Sequence, residues 1–498
     1  MATTAAPELV SINPATLEPV GSVPHTDLGE LPGIIAAARA AQERWWAVGA
    51  AVRARVLRDT ARVVRAHADE IADSIVAETA KPRTEAIANE LYAAVDHAAW
   101  LAKQAPRVLA DERVRFSQLH LKTKKAWLLY EPLGVVTAIT PWNIPFGIPF
   151  VQVATAVAAG NGVVLKPSEL TPLTAAWVPR VLQEAGAPAG LVQLVQGEAP
   201  VGEALVGHPG IAKVFFTGSV SVGRRVAAAA GARGCPVALE LGGKDPMLVF
   251  ADADLDRAVD GAVFASFLNA GQACISVERI YVERSVYEEF AQRLSERARD
   301  LKLGDEIGPL ISERQRDNVE RLTHAPRPER DGWFLEPTVV RGALPDKEIF
   351  GPVVSVEPFD GEDEAVHRAN DSEFGLAASV WSRDLAKAGR VARRIEAGMV
   401  WVNDFGYSFT TGQAAWGGVK SSGFGRTSSK HGLYECVRVK YVDSDRGLLR
   451  PAWWFPYDVK TERSIRAALD VLYGTGLERW RAAWRSRREL LHIARRSR

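Results

Sequence analysis

Between Pro132 and Val402 the chain alternates short β-branched runs with stretches of helical periodicity, and this alternation restricts it to one fold class. Gly134-Val-Val-Thr-Ala-Ile-Thr, Gly162-Val-Val-Leu-Lys, Leu191-Val-Gln-Leu-Val and Ala212-Lys-Val-Phe-Phe-Thr have strand length and strand composition, and helical patterns such as Leu173–Glu184 and Val220–Ala230 lie between them. Strands separated by helices predict a parallel, doubly wound sheet with helices on both faces. A second series starts at Pro246-Met-Leu-Val-Phe and continues through Arg279-Ile-Tyr-Val, Val353-Val-Ser-Val and Leu376–Trp381 to Met399-Val-Trp-Val. A chain of 498 residues is too long for one growing core, so two α/β lobes are expected.

Three regions depart from this alternation. Leu31 to Ala105 is Ala-rich with apolar residues at helical spacing, and reads as several amphipathic helices. Arg113-Val-Arg-Phe-Ser-Gln-Leu-His-Leu and Ala126-Trp-Leu-Leu-Tyr predict an exposed two-stranded ribbon whose open edge needs a partner surface. After Pro451-Ala-Trp-Trp-Phe-Pro-Tyr, the spacing of Leu477, Trp480, Trp484 and Leu491 predicts a helix with one apolar stripe. The formal net charge of +1 conceals an asymmetry here, because residues 446–498 carry 13 Lys or Arg against five Asp or Glu and leave the remainder net negative. The main body therefore lacks a nucleic-acid footprint. Three cysteines, Cys235, Cys274 and Cys436, exclude a disulfide framework. No run reaches the length of a membrane span and no secretory signal opens the chain, so a cytoplasmic protein is expected.

The residues with chemistry fall in short motifs. Cys274 ends Asn269-Ala-Gly-Gln-Ala-Cys, where small residues allow close approach of a substrate to a thiol. A small buried hydrophobe is the alternative for a lone cysteine. Glu240, in Leu239-Glu-Leu-Gly-Gly-Lys, is a carboxylate beside a glycine pair at a strand end, suited to a general base or equally to a salt bridge. Asn143, fixed between two prolines in Thr140-Pro-Trp-Asn-Ile-Pro-Phe, is placed to donate to an oxyanion or to close a turn. Gly218, Ser219 and Gly223 follow a strand and open a helix, suited to cradle a pyrophosphate or, since the spacing is not G-x-G-x-x-G, to form an ordinary glycine turn. Lys166 and Glu169 stand at a strand's carboxyl end, where they can hydrogen-bond a ribose or each other. No metal site is read.

In order, PWNIPF, LKPSE, FTGSVSVG, LELGGK, NAGQAC, EIFGPV and SGFGR resemble the aldehyde dehydrogenase superfamily from about residue 10 to residue 445. The resemblance implies two doubly wound α/β lobes, a β-ribbon for oligomerisation and, peculiar to this chain, a helical C-terminal extension. The coenzyme-binding domain would comprise 1–112 and 132–243, the catalytic domain 244–418, the ribbon 113–131 and 419–445, and the extension 446–498. It further implies oxidation of an aldehyde to a carboxylic acid with NAD, NADP being the alternative, and a homodimer or homotetramer. Cys274 would attack the aldehyde, Asn143 and the Cys274 amide would hold the oxyanion, and Glu240 would activate water against the thioester. Trp142, Lys166, Glu169, Gly218, Ser219, Gly223, Glu348 and Phe350 would bind the coenzyme. Glu169 would favour NAD by repelling a 2′-phosphate. Phe146, Ile275, Ser276, Tyr407 and Phe409 are candidates for the substrate tunnel. Glu240 argues against the coenzyme-A-acylating branch and, with Cys274, against a catalytically dead relative. No arginine stands out for a carboxylate-bearing substrate such as succinate semialdehyde. Thr427 follows SGFGR where an acidic residue is common, and the stretch from Gly304 to Thr338 is short. The tail is expected to be covered by protein, a membrane surface being the alternative.

Overall fold

The computed structural model describes residues 8–118, 121, 123–447, 450, 451 and 453–496. Leu119 and His120 of the expected ribbon, Ala452 of the aromatic segment and residues 497–498 of the tail lie outside the described residues. The chain divides into two compact units, Met1–Ala110 with Glu131–Arg438, and Asp111–Tyr130 with Val439–Arg498.

The larger unit holds both α/β sheets. The first runs Gly423–Phe424, Val237–Glu240, Lys213–Thr217, Val135–Ile139, Gly162–Lys166, Val192–Leu194. All neighbours are parallel except Gly423–Phe424, which pairs antiparallel with Val237–Glu240. The second, with every pairing parallel, runs Thr338–Arg341, Val353–Phe359, Val277–Glu283, Asp245–Val249, Ala377–Trp381, Met399–Val402. The β-branched runs form these strands because helices cover both faces: Gly162–Lys166, Asp245–Val249 and Ala377–Trp381 are buried at every position. The helix Gly147–Ala158 is likewise buried along its whole length. Register aligns Ile139 with Lys166 and Phe216, and Thr217 with Glu240, so the carboxyl ends of four strands form one edge. That edge is where an open α/β sheet binds ligands.

The N-terminal helices are Leu31–Ala47, Gly49–Ala66, Ala68–Thr79 and Tyr92–Val108, as the Ala-rich periodicity implies. Between the last two, Ala86–Leu91 is a π-helical turn that the 3.6-residue pattern does not reveal.

The segment 419–445, read as a single ribbon element, is divided between two sheets. Gly423–Phe424 is an edge strand of the first sheet, Ser429–Glu435 is a helix, and Val437–Asp445 joins Lys124–Pro132 and Glu112–Val114 in a three-stranded sheet. Gly423 has φ +109°, and a Cβ there would sit 2.0 Å from the Leu239 carbonyl oxygen. Only glycine permits this pairing.

The smaller unit contains residues 112–114, 124–130 and 439–445 of this sheet and the helices Val459–Tyr473, Gly476–Arg485 and Arg487–Arg496. Lys124 bridges Asp443 at 3.5 Å and Asp445 at 3.0 Å across the sheet. The stripe read as one helix over 477–498 is two helices that meet at Ser486. Among the described residues no helix is long and apolar enough to cross a membrane.

Asn161 ties three segments of the larger unit together. Its Oδ1 accepts from the Gly134 amide at 3.0 Å, and its Nδ2 donates to the carbonyls of Ala156 at 3.1 Å and Cys436 at 2.8 Å. Asn161→Ala leaves these buried groups unpaired and should lower stability by about 2–4 kcal/mol. Chemical denaturation checks this; a loss below about 0.5 kcal/mol, the ordinary range for a surface change, would contradict it.

Candidate active site

Glu240 ends the strand Val237–Glu240, at the carboxyl edge described above. It is 5% exposed, and neither carboxyl oxygen has a hydrogen-bond partner among the described residues. Burial pushes its pKa up to about 8, Arg426 opposing and Glu435 adding to the shift.

Cys274 is half-buried on the peptide that enters the strand Val277–Glu283 of the second sheet. Three consecutive residues before it are left-handed: Asn269 at φ 53°, Ala270 at φ 55° and Gly271 at φ 70°. For Asn and Ala this conformation is costly and persists only where the surroundings enforce it. Both Glu85 oxygens accept the Asn269 amide at 3.1 Å. The Asn269 Nδ2 donates to the carbonyls of Asn143 at 3.0 Å and Gln272 at 3.1 Å. Gln272 donates through Nε2 to the Asn269 carbonyl at 3.0 Å and accepts the Ile311 amide through Oε1 at 2.9 Å. A Cβ on Gly271 would lie 2.0 Å from the Gly351 carbonyl oxygen, so the NAGQAC loop packs backbone against backbone. The Cys274 thiol is pushed above its ordinary pKa by burial and by the carboxyls of Glu240, Asp245 and Glu348. The resting group is therefore a thiol that needs a base.

The Asn143 Nδ2 donates to the Gln272 carbonyl at 3.0 Å, leaving its second hydrogen free of that bond, while its Oδ1 has no partner among the described residues. The Asn143 backbone carbonyl accepts from Lys81 Nζ at 2.6 Å. Lys81 also binds Glu90 Oε1 at 2.8 Å, and Glu90 Oε2 accepts the amides of Phe146 at 2.8 Å and Gly147 at 3.1 Å. This buried pair fixes both ends of the PWNIPF loop. On the other side, Lys244 Nζ pairs with Glu278 at 2.8 Å, and Glu278 accepts the amides of Ile349 at 2.8 Å and Phe350 at 3.0 Å. The EIFGPV loop is thereby fixed on the second sheet.

Two cavities of about 390 and 280 Å³ share Ile148, Thr217, Glu240 and Cys274 as walls. The smaller is lined by Trp142, Asn143, Gly218, Ser219, Glu348 and Phe350. Trp142 and Phe350 meet edge to face at 5.6 Å. Glu348 accepts the Gly243 amide at 3.1 Å, and burial with repulsion from Glu278 pushes its pKa up to about 8. Ser219 precedes the twelve-residue helix Val220–Gly231, whose first turn has no side-chain cap. Its amides offer an anion site next to aromatic walls, the donor set that a nicotinamide dinucleotide requires. Gly223 does not line this cavity; a Cβ there would strike Leu241 Cδ2 at 2.4 Å, so this glycine lets the helix approach. Lys166 and Glu169 also stand apart from it. They lie 4.0 Å from each other, and Lys166 Nζ donates to the Pro167 carbonyl at 2.8 Å.

Ile275, Tyr407 and Phe409 line the larger cavity, together with Tyr92, Phe264 and Trp416. Phe146 does not; it is buried and packs on Phe150 at 5.5 Å. Ser276 instead donates to the Ala265 and Ser266 carbonyls. Thr427 lies in the cavity wall, as does Asn89 of the π-helical turn. Sequence reasoning missed Lys81, Glu85, Glu90 and Asn89. A hint was present, since Glu85 and Glu90 sit among Ala and Leu where a helix buries its face, but the π turn alters the register that would have paired them.

The family model described as "Aldehyde dehydrogenase family" matches residues 2–442. A betaine aldehyde dehydrogenase of Rhizobium leguminosarum bv. trifolii (strain WSM2304) is 38% identical over 458 residues, covering 87% of this chain and 93% of that protein. Betaine aldehyde dehydrogenase from Staphylococcus aureus, solved in complex with NAD+, matches with a TM-score of 0.85 at 34% identity over 91% of this chain and 95% of its own. PnpE from Pseudomonas sp. WBC-3 matches with a TM-score of 0.84 at 30% identity over 88% and 94%.

Removing one partner of a buried ion pair strands the other, at a cost of roughly 3–5 kcal/mol. Glu90→Gln is accordingly expected to destabilise the protein by about that much, whereas Lys81→Met with Glu90→Leu together should cost less than Glu90→Gln alone. Urea unfolding of the two variants provides the check, and a double variant at least as unstable as the single one would count against the arrangement.

Proposed function

We propose, from the premise that this chain belongs to the aldehyde dehydrogenase family, that it oxidises an aldehyde to the carboxylic acid with NAD, using Cys274 as nucleophile and Glu240 as base. The observation that carries this reading is that a thiol and an unpartnered carboxyl group are the titratable groups common to two adjoining cavities. One cavity suits an aldehyde and the other a nicotinamide.

Glu240 in its carboxylate form takes the thiol proton as the Cys274 sulfur bonds to the carbonyl carbon, giving a thiohemiacetal oxyanion. Asn143 Nδ2 and the Cys274 amide are the donors available to that oxygen. The coenzyme, when bound, accepts the hydride. Once Glu240 has released the thiol proton to solvent, its carboxylate removes a proton from water, the water oxygen bonds to the acyl carbon of the resulting Cys274 thioester, and the carbon–sulfur bond breaks with return of that proton to sulfur. Trp142, Gly218, Ser219, Glu348 and Phe350, which line the smaller cavity with Cys274, would hold the coenzyme. The strand-end pair Lys166 and Glu169 is assigned to its adenosine ribose, and Glu169 is the residue that disfavours a 2′-phosphate.

The larger cavity bears on the substrate. Among the described residues that line it there is no Arg or Lys, so succinate semialdehyde would find no counter-charge. Tyr92, Phe264, Phe405, Tyr407, Phe409 and Trp416 present rings instead. Rings accept an apolar aldehyde or a quaternary-ammonium one, the latter being the kind named for the Rhizobium and Staphylococcus relatives.

Cys274→Ala should abolish aldehyde oxidation while leaving NAD binding within about twofold; appreciable turnover by this variant would refute the nucleophile. Because the Glu240 carboxyl titrates at about 8, turnover limited by hydrolysis should rise with pH through that value, and Glu240→Gln should be slow with no such rise. A Glu240→Gln profile that keeps the rise would assign the ionisation elsewhere. Glu169→Ser should narrow the preference for NAD over NADP in kcat/KM, and a preference for NADP in the unmutated protein would defeat that assignment.

A further inference from the structure

The family match ends at residue 442, and the helices beyond it invert the usual order of a soluble helical cluster. In Val459–Tyr473 and Gly476–Arg485 the buried residues are Thr461, Ser464, Ala467 and Ala482, all small. The large apolar side chains point outward: Leu477, Trp480 and Trp484 are each 73% exposed, and Leu491 of the next helix is 57% exposed. One turn of helix separates Trp480 from Trp484, and Leu477 shares their side. Arg481 and Arg485 stand beside them and, with the single acidic residue Glu478, wall the same depression. Upstream, Trp453, Trp454, Phe455 and Tyr457 form a second exposed aromatic group.

We propose that residues 446–498 dock this protein on an anionic lipid bilayer surface. Charge and side-chain chemistry choose this occupant over a second protein chain. The segment carries 13 Lys or Arg against five acidic residues. Arg481 and Arg485 border the stripe formed by Leu477, Trp480 and Trp484. A protein covering that face would bury two guanidinium groups and would need carboxylates at matched positions to compensate their desolvation. A bilayer interface supplies phosphates at the depth where indole rings settle, and arginine stems lie along apolar surface while their heads reach those phosphates. A helix with a narrow apolar stripe flanked by Arg lies in the plane of such an interface. The catalytic lobes need no change for this, since the site residues fall between Lys81 and Ser428.

The test uses the purified full-length protein with vesicles of phosphatidylcholine alone and of phosphatidylcholine with phosphatidylglycerol, read by flotation. Binding is expected to the anionic vesicles only and to weaken as salt is raised. Arg481→Glu with Arg485→Glu, and separately Trp480→Ser with Trp484→Ser, should each reduce the vesicle-bound to free ratio by roughly tenfold or more. Both pairs should leave oxidation of a water-soluble aldehyde unchanged. Equal flotation with both vesicle types would overturn the proposal. So would a Trp480→Ser, Trp484→Ser variant that keeps its vesicle binding but shows a smaller particle by light scattering, which would make the face a contact between copies of the chain.

Discussion

The site depends on one costly arrangement: a carboxyl group removed from water at the end of a parallel strand, with no hydrogen bond to either oxygen among the described residues. Burying an ionised carboxylate without a partner is expensive, and the group responds by holding its proton to a higher pH. The sign follows from the shift. Folding favours the protonated Glu240, so its contribution to stability is fully present below its ordinary value of 4.5 and is lost as pH rises through about 8. The strand cannot relax to relieve this. Val237–Glu240 is pinned by Lys213–Thr217 on one side and by Gly423–Phe424 on the other. In exchange, the carboxyl is free to serve the thiol and the water, the two partners that the proposed chemistry asks of it.

Around this group three carboxyls act through backbone, those of Glu90 and Glu278 buried and ion-paired, that of Glu85 only partly buried and with its pKa pushed up to about 7. Glu90, paired with Lys81, holds the loop bearing Asn143; Glu85 holds the Asn269 amide before Cys274; Glu278, paired with Lys244, holds the loop bearing Glu348 and Phe350. The ion-paired carboxylates of Glu90 and Glu278 each accept two backbone amides, and charge-assisted bonds of this kind are the stronger class. Sulfur, amide donor and coenzyme-side ring are thus set by rigid supports instead of by loop flexibility. This is what a step requires when its reacting atoms must meet within a few tenths of an ångström.

The alternation of β-branched runs with helical spacing predicted both sheets because buried parallel strands have little other composition open to them. Cys274, Glu240 and Asn143 were legible because each lies in a short contiguous motif whose neighbours are glycine or proline. The supports were not. Lys81 reaches Glu90 across a π-helical turn, and Glu85 reaches Asn269 across 184 positions, a pairing no local period encodes. That position 423 requires glycine follows from its close approach to the Leu239 carbonyl, a tertiary contact that no local pattern encodes. Phe146 was assigned to the tunnel from its motif alone, yet its ring packs on Phe150 in the interior. In the tail the apolar stripe was readable, but not that the chain would break at Ser486 and turn its tryptophans outward.

The account's central claim is that Glu240 acts on a thioester carried by Cys274. Intact-protein mass spectrometry of the Glu240→Gln variant, quenched in acid after mixing with an aldehyde and NAD, tests it most directly. The account predicts a mass increase equal to one acyl group, formed more slowly than hydride transfer in the unmutated protein because Glu240 also takes the thiol proton, located on the peptide containing Cys274 and removed by hydroxylamine. An active variant with no adduct, or an adduct mapped to Cys235 or Cys436, would contradict it.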